Sequence, residues 1–236
     1  MNDHIPILHT DDRVVAVNKP AGVTVVPAPD VPAEGCLRAL VERQIGARLL
    51  VVHRLDRDTS GVVVFARSAE AHRDLCLAFE HRRVQKTYVA FIAGVPDPRE
   101  DRIEMPLHAA RRGKTRPARP GEPGGQAAAT RYLVRKHWEL DGARVALVDA
   151  HPETGRHHQI RAHLRVIGCP ILFDGTYGRG IEIGTLDQAP CQRMALHASR
   201  LVVPQPDGSR LTIDAPLPAD LTALLRWLDG VWARMV

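Results

Sequence analysis

Apolar and polar positions change period several times along the chain, and the changes predict a mixture of strands and helices. Val14 to Val17 form an unbroken apolar run that ends at Asn18-Lys19-Pro20-Ala21-Gly22, where proline and glycine force a turn. A loop carrying Pro27, Pro29 and Pro32 follows. Leu37, Leu40, Val41 and Ile45 recur at helical spacing and stop at Gly46, and Leu49 to Val52 and Val62 to Ala66 read as short buried strands. Ser68 is placed to cap a helix whose inward face is Ala71, Leu75, Ala78 and Phe79, and Lys86 to Ala93 returns as a strand carrying Tyr88.

The second half continues the pattern after one interruption. Residues 108–129 have no apolar period, many glycines and prolines, and several Lys and Arg. Such a stretch cannot bury enough surface to order by itself, so a mobile basic loop is expected there, poorly ordered without a partner. Arg144 to Ala150 reads as a strand, and Thr154-Gly155-Arg156 leads into a helix from about His157 with Ile160, Leu164 and Ile167 inward and Gly168 as its stop. In that helix His157 and Arg161 would share a polar face. Strands near Leu201 and Leu211 precede a last helix expected to bury Leu221, Leu224, Leu225, Leu228 and Trp232. Neither an internal repeat nor a long linker divides the chain, so one domain over 1–236 is expected.

Composition narrows the function classes. An apolar content of 44% is ordinary for a globular protein, and no apolar run approaches the ~18 residues of a membrane span, so no membrane association is expected. The first residues, Met1-Asn2-Asp3-His4-Ile5-Pro6, lack the basic start and apolar stretch of a secretory signal, and a cytoplasmic location is expected. Cys36, Cys76, Cys169 and Cys191 lie far apart without a C-x-x-C pair, which argues against a zinc knuckle or a disulfide framework. The net charge of +5 favours an anionic partner weakly; its distribution favours one more. Residues 99–136 hold ten Lys or Arg against four acids, so this window carries +6, more than the whole chain. Arginine outnumbers lysine 28 to 4, which suits bidentate phosphate contacts, although a GC-rich genome produces the same bias.

The densest chemistry is His53-Arg54-Leu55-Asp56-Arg57-Asp58-Thr59-Ser60-Gly61, with five ionisable side chains in six positions between two apolar strands. Charges that close to a core need partners or a purpose. Taken alone, an Arg-x-Asp-Arg cluster reads as a surface turn with internal ion pairs. The whole string, however, resembles the HRLDxxTSG signature of the RluA-type family of RNA pseudouridine synthases at every fixed position. Residues 14–22 (VVAVNKPAG), 86–94 (KTYVAFIAG), 154–164 (TGRHHQIRAHL) and 195–201 (ALHASRL) resemble further family segments in family order. The chain is similar to members that lack a separate N-terminal RNA-binding domain.

This resemblance implies an α+β fold, a mixed, largely antiparallel sheet flanked by helices with a central catalytic cleft. It implies isomerisation of uridine in structured RNA, ribosomal or transfer, to pseudouridine. The reaction breaks the C1'–N1 bond, turns the base and rejoins it through C5 with no redox change, so no cofactor and no metal are expected, and a monomer is expected. Asp56 is implied as the carboxylate, acting as nucleophile at the sugar or as the base opening a glycal route. Arg161 is implied as the fixed cation that keeps it ionised, and Tyr88 as the tyrosine that stacks on the base and takes a proton. The uridine must be flipped out at roughly a few kcal/mol, with Arg54 as the implied wedge in the vacated stack. Arg156 at a helix entrance suits a phosphate contact. Leu196 and His197 match a leucine-histidine pair near the pocket; Lys19 and Gln159 are weaker candidates, and Arg111, Arg112 and Lys114 of the basic loop are expected to contact RNA.

One departure stands out. Family members usually carry a small hydroxyl residue where this chain has His157, which touches local RNA contacts and not catalysis. His157, His158 and His163 without an H-E-x-x-H pattern or cysteine partner do not make a metal site. Asp58 beside Asp56 raises a glycosidase-like pair, whose carboxylates sit ~5 Å apart in retaining enzymes; position 58 varies in the family, so Asp58 is expected to face solvent. Two other classes compete with the isomerase: a non-catalytic RNA-binding or folding factor that keeps the fold, and a hydrolytic nuclease or nucleosidase.

Overall fold

The computed structural model describes residues 4–110, 113–119, 121–140, 142–178 and 184–235. Among the described residues it is α+β, with four α-helices and a mixed sheet in which β4 and β11 run parallel and the other named pairs antiparallel. By internal packing the chain forms two compact units, residues 1–86 with 197–216 and residues 87–196 with 217–236.

The first unit holds β1 (Ile7–Thr10), β2 (Val14–Lys19), α1 (Leu37–Ile45), β3 (Leu50–Val51), β4 (Ser60–Ala66) and α2 (Ala69–Glu80), completed by β11 (Leu196–Pro204) from His197 onward and by β12 (Arg210–Asp214). Strand order is β1-β2-β4-β11-β12, with β3 also on β4. All seven residues of β4 are buried because both faces of the strand are covered. Val62, Val64 and Ala66 meet Ala71, Leu75 and Ala78 of α2, while Val63 and Phe65 meet Leu37 and Val41 of α1. The strand's two-residue period thus turns one continuous apolar run into two cores. α1 ends at Gly46, whose left-handed backbone (φ 68) closes a hydrogen bond to Glu42, and Ser68 caps α2 by accepting the Ala71 amide.

The second unit holds β5 (Gln85–Ala93) from Thr87 onward, β6 (Glu100–Glu104), β7 (Leu107–Ala110), β8 (Lys114–Pro117), β9 (Ala129–Leu140), β10 (Ala143–Pro152), α3 (Gln159–Val166) and α4 (Ala219–Met235). Strands β5-β10-β9-β6 form an antiparallel run, and β7 and β8 form a separate hairpin. Its core joins Phe91, Trp138 and Leu140 to Leu221, Leu224 and Leu228 of α4.

Three expectations are corrected here. The segment 108–129 is not structureless: β7 and β8 pair within it, Leu107 buries against Ala128 and Ala162, and Glu122 pairs with Arg116. Local pairing and a shared anchor on α3 supply the order that apolar periodicity does not. Arg111 and Arg112 lie outside the described residues. Helix α3 begins at Gln159, so His157 lies before it and shares no helical face with Arg161, and the helix's polar residues Gln159, Arg161 and His163 are buried. In α4, Trp232 is 42% exposed, and Val231 takes the buried position, as the spacing from Leu224 and Leu228 requires.

Candidate active site

In the first unit the HRLD segment is fixed from both ends. His53 accepts the Val64 amide of β4 at Nε2 (3.0 Å) and stacks on Phe79 at 4.7 Å. A ring nitrogen that accepts carries no proton, so this histidine is neutral; burial, helped by the nearby Lys86 charge, pushes its pKa down to about 3. At the far end Gly61 has φ +118, and a Cβ there would lie 2.1 Å from the Ala198 carbonyl oxygen on β11. Only glycine fits that approach of two backbones.

Between these ends, Asp56 is half-buried in the loop before β4, and its carbonyl accepts the Thr59 amide at 3.2 Å. The next carbonyl, of Arg57, accepts from the Gly22 amide (2.9 Å) and from Lys19 Nζ (2.7 Å). Lys19 is fully buried and also donates to the carbonyls of Pro20 (2.9 Å) and Val23 (2.7 Å). A buried ammonium that donates to three carbonyls clamps the Asp56 loop. The Arg57 side chain is held bidentate by Asp30 at 2.6 and 2.5 Å, whereas Arg54 and Asp58 are exposed.

His197 is likewise internal. Fully buried, it bonds Ser60 Oγ through Nδ1 (2.9 Å) and the Ala215 carbonyl through Nε2 (3.2 Å), tying β4 to β11. Both ring nitrogens are engaged inside the protein.

In the second unit Tyr88 is half-buried on β5, opposite Ala150 of β10, at the margin of the core. Arg161 is buried on α3 and grips Asp174 with Nε (2.7 Å) and Nη2 (2.9 Å). Burial would push the Asp174 carboxyl up, but the Arg161 hydrogen bonds and charge, with the amides of Tyr177 and Thr176, hold it below the usual range. The guanidinium carbon also lies 4.9 Å from the centre of the Tyr177 ring. The result is a cation with one orientation.

Gln159 brackets the approach to α3 and is saturated. Its Oε1 accepts from Thr154 Oγ1 (2.5 Å) and the Arg156 amide (3.0 Å), and its Nε2 donates to the Ala129 carbonyl (2.9 Å) and Thr130 Oγ1 (3.0 Å). The Thr130 hydroxyl donates a hydrogen bond to His163 Nδ1 (2.9 Å), whose Nε2 donates to the Met105 carbonyl (3.0 Å). This continuous donor order keeps His163 neutral, and burial pushes its pKa down. Gln159 and Leu196 are both buried, Leu196 within the core. Arg156 is half-exposed with Nε on the Ala127 carbonyl (3.2 Å), and Lys114 is exposed.

The basic window is less bare than its sequence implies. Arg102 pairs with Glu104 and Glu153, Arg116 with Glu122, Arg131 with Glu153, Arg135 with Asp149 and Lys136 with Asp229. Asp174 and Tyr177 are the functional candidates that sequence reasoning missed. The Asp174-Gly175 turn signal followed by an aromatic was the available clue.

Residues 13–165 match the family model described as RNA pseudouridylate synthase. Among the relatives, the tRNA pseudouridine synthase C of Pasteurella multocida (strain Pm70) is 36% identical, the match covering 95% of this chain and 94% of that protein. The ribosomal large subunit pseudouridine synthase D of Zymomonas mobilis subsp. mobilis is 32% identical over 95% of this chain and 73% of its own length. The solved structure of human RNA pseudouridylate synthase domain containing 4 superposes with a TM-score of 0.77 at 29% identity, covering 95% of this chain and 93% of that one. The chain belongs to the RNA pseudouridylate synthase family, and it is an enzyme that isomerises uridine in RNA to pseudouridine. Among the described residues, no helix is long and apolar enough to cross a membrane.

Proposed function

We propose that the substrate is a uridine in folded ribosomal or transfer RNA, and that Asp56, Arg161 and Tyr88 act on it together. Asp56 supplies the ionised oxygen that attacks C1' or removes the C2' proton as the C1'–N1 bond breaks. The freed uracil turns and bonds to C1' through C5, which displaces the Asp56 carboxylate or, in the glycal route, is accompanied by return of the proton from Asp56 to C2'; the C5 proton leaves and N1 gains one, so the product is an isomer. Tyr88 stacks on the turning base and accepts the C5 proton. Nothing is oxidised and no group is added, which supports a reaction run by side chains alone.

The observation that carries this reading is the bidentate Arg161–Asp174 pair. A carboxylate that must stay ionised while substrate displaces water needs a cation that does not swing away, and Asp174 fixes two of the guanidinium's five donors. Arg54, exposed two residues before Asp56, is the proposed wedge that fills the stack when the uridine is extruded. The names of the two relatives, one acting on transfer RNA and one on the large ribosomal subunit, support both substrate classes. Pseudouridine mapping of total RNA from cells lacking the protein tests the choice: lost sites in ribosomal or transfer RNA support it, and an unchanged map rejects it. A nuclease or nucleosidase would instead release cut strands or free base.

A further inference from the structure

The β7–β8 hairpin ends its inward face on one side chain. Thr115, the buried residue of β8, donates its amide to the Tyr177 hydroxyl at 2.8 Å. Its own hydroxyl bonds His157 Nδ1 at 3.2 Å. The Tyr177 hydroxyl, having accepted the Thr115 amide, has its proton left for His158 Nδ1 at 3.1 Å. His157 and His158 stack with ring centres 3.6 Å apart, and His158 meets the Tyr177 ring edge-on. At its other end Tyr177 gives its amide to Asp174 Oδ1 (3.0 Å) and lays its ring under the Arg161 guanidinium. One residue thus touches the hairpin backbone, the histidine pair and both members of the buried ion pair.

We propose that Tyr177 is a positioning residue that sets the β7–β8 hairpin in register against the Arg161–Asp174 pair, so that RNA held by the hairpin is presented in a fixed relation to Arg161. The strand period supplies the reason. With Thr115 pinned inward, its neighbours Lys114 and Arg116 must point the other way, and Lys114 is exposed while Arg116 is half-buried against Glu122. A slip of one residue would turn Lys114 inward and Thr115 out. The base of the hairpin is also held by Leu107 against Ala128 and Ala162, and the Tyr177 ring packs beside them. His157 joins the same post, through the Thr115 hydroxyl and its stacking on His158. The inference rests on the proposed roles of Arg161 and of the hairpin in the RNA reaction.

Tyr177→Phe removes the hydroxyl and keeps the ring beneath Arg161. Loss of the hydroxyl's two bonds is expected to speed amide hydrogen exchange in residues 107–117 by about ten-fold, with the α3 amides unchanged. KM for folded RNA should rise by about ten-fold while kcat stays within about two-fold, because presentation of RNA is lost and the chemistry is not. Thr115→Val, which keeps the amide donor, should shift both readouts less, and its effect should be non-additive with Tyr177→Phe. Unchanged exchange in the hairpin, or faster exchange with an unchanged KM, overturns the inference. So does a fall in kcat at constant KM, which would mark Tyr177 as acting on Arg161 itself. Wild-type turnover in the same assay separates the two ideas: an inactive wild type rejects the proposed function, and the exchange measurement still decides the hairpin's docking.

Discussion

Arg161 and Asp174 face each other through two parallel hydrogen bonds, 2.7 and 2.9 Å, with the Asp174 side chain wholly inaccessible and the arginine 9% exposed. Two opposite charges buried together contribute little net stability, because each has lost its hydration. What the pair does provide is orientation. The carboxylate also collects the amides of Thr176 and Tyr177, so the turn after Phe173 is built around it, and the guanidinium on α3 is locked to that turn.

Breaking the pair from one side should therefore cost more than the pair is worth. Asp174→Ala strands a buried guanidinium and should destabilise the protein by about 3–5 kcal/mol, read as a lower urea midpoint. Asp174→Asn keeps an oxygen for the two amides but removes the charge, and is expected to retain the fold while lowering single-turnover pseudouridine formation by about 100-fold. A wild-type rate in Asp174→Asn would mean that the orientation of Arg161 is immaterial.

Gly61 offers a sharper structural test. Adding a methyl group would drive it to 2.1 Å from the Ala198 carbonyl oxygen at φ +118, and backbone on both sides leaves nothing flexible to move. Gly61→Ala should lose the β4–β11 pairing and with it most soluble protein. Full solubility with an unchanged melting temperature would contradict the close approach.

Acid should weaken the fold through His53. Its folded pKa, near 3, lies below the unfolded value of about 6.5, so the unfolded chain binds the extra proton. The stabilisation is complete above about pH 6.5 and is lost progressively as pH falls toward 3. His163, whose pKa burial also lowers, acts in the same direction. His53→Phe keeps a ring on Phe79 but leaves the Val64 amide without its acceptor, at a cost of about 1–3 kcal/mol at pH 7. The urea midpoint of this variant should drop less between pH 7 and pH 5 than that of the wild type.

Lys19→Met tests the clamp beneath the Asp56 loop. The methionine fills the space but leaves three carbonyls short of a donor, and a loss of about 2–3 kcal/mol is expected, with RNA affinity unchanged. A large loss of RNA affinity without destabilisation would return Lys19 to the RNA-binding surface.

Much of this architecture was readable from the chain because it depends on local patterns. Apolar runs at Val14–Val17 and Val62–Ala66, the stop at Gly46 and the Ser68 cap each carry their own signal. Strand β9 escaped notice because Lys136 interrupts the inward row of Tyr132, Val134, Trp138 and Leu140; it is accommodated by Asp229 on α4 and lies 5.5 Å from the Trp138 ring. Within the site, motif resemblance picked out residues without separating the reactive from the supporting. Lys19, Gln159 and His197 are polar, motif-borne and buried, and the motifs do not indicate their hydrogen-bond partners within the protein. Asp174 and Tyr177 lie beyond the motif that carries Arg161, so the partner that orients this arginine depends on tertiary folding.

The most direct measurement is nucleoside analysis of a defined ribosomal or transfer RNA substrate after incubation with wild-type protein and with Asp56→Asn. The wild type should convert its target uridine to pseudouridine with no free base or strand cleavage. The variant should form none while binding the RNA within a few-fold of wild type. Pseudouridine formed by Asp56→Asn at the wild-type rate would contradict the role assigned to this carboxylate.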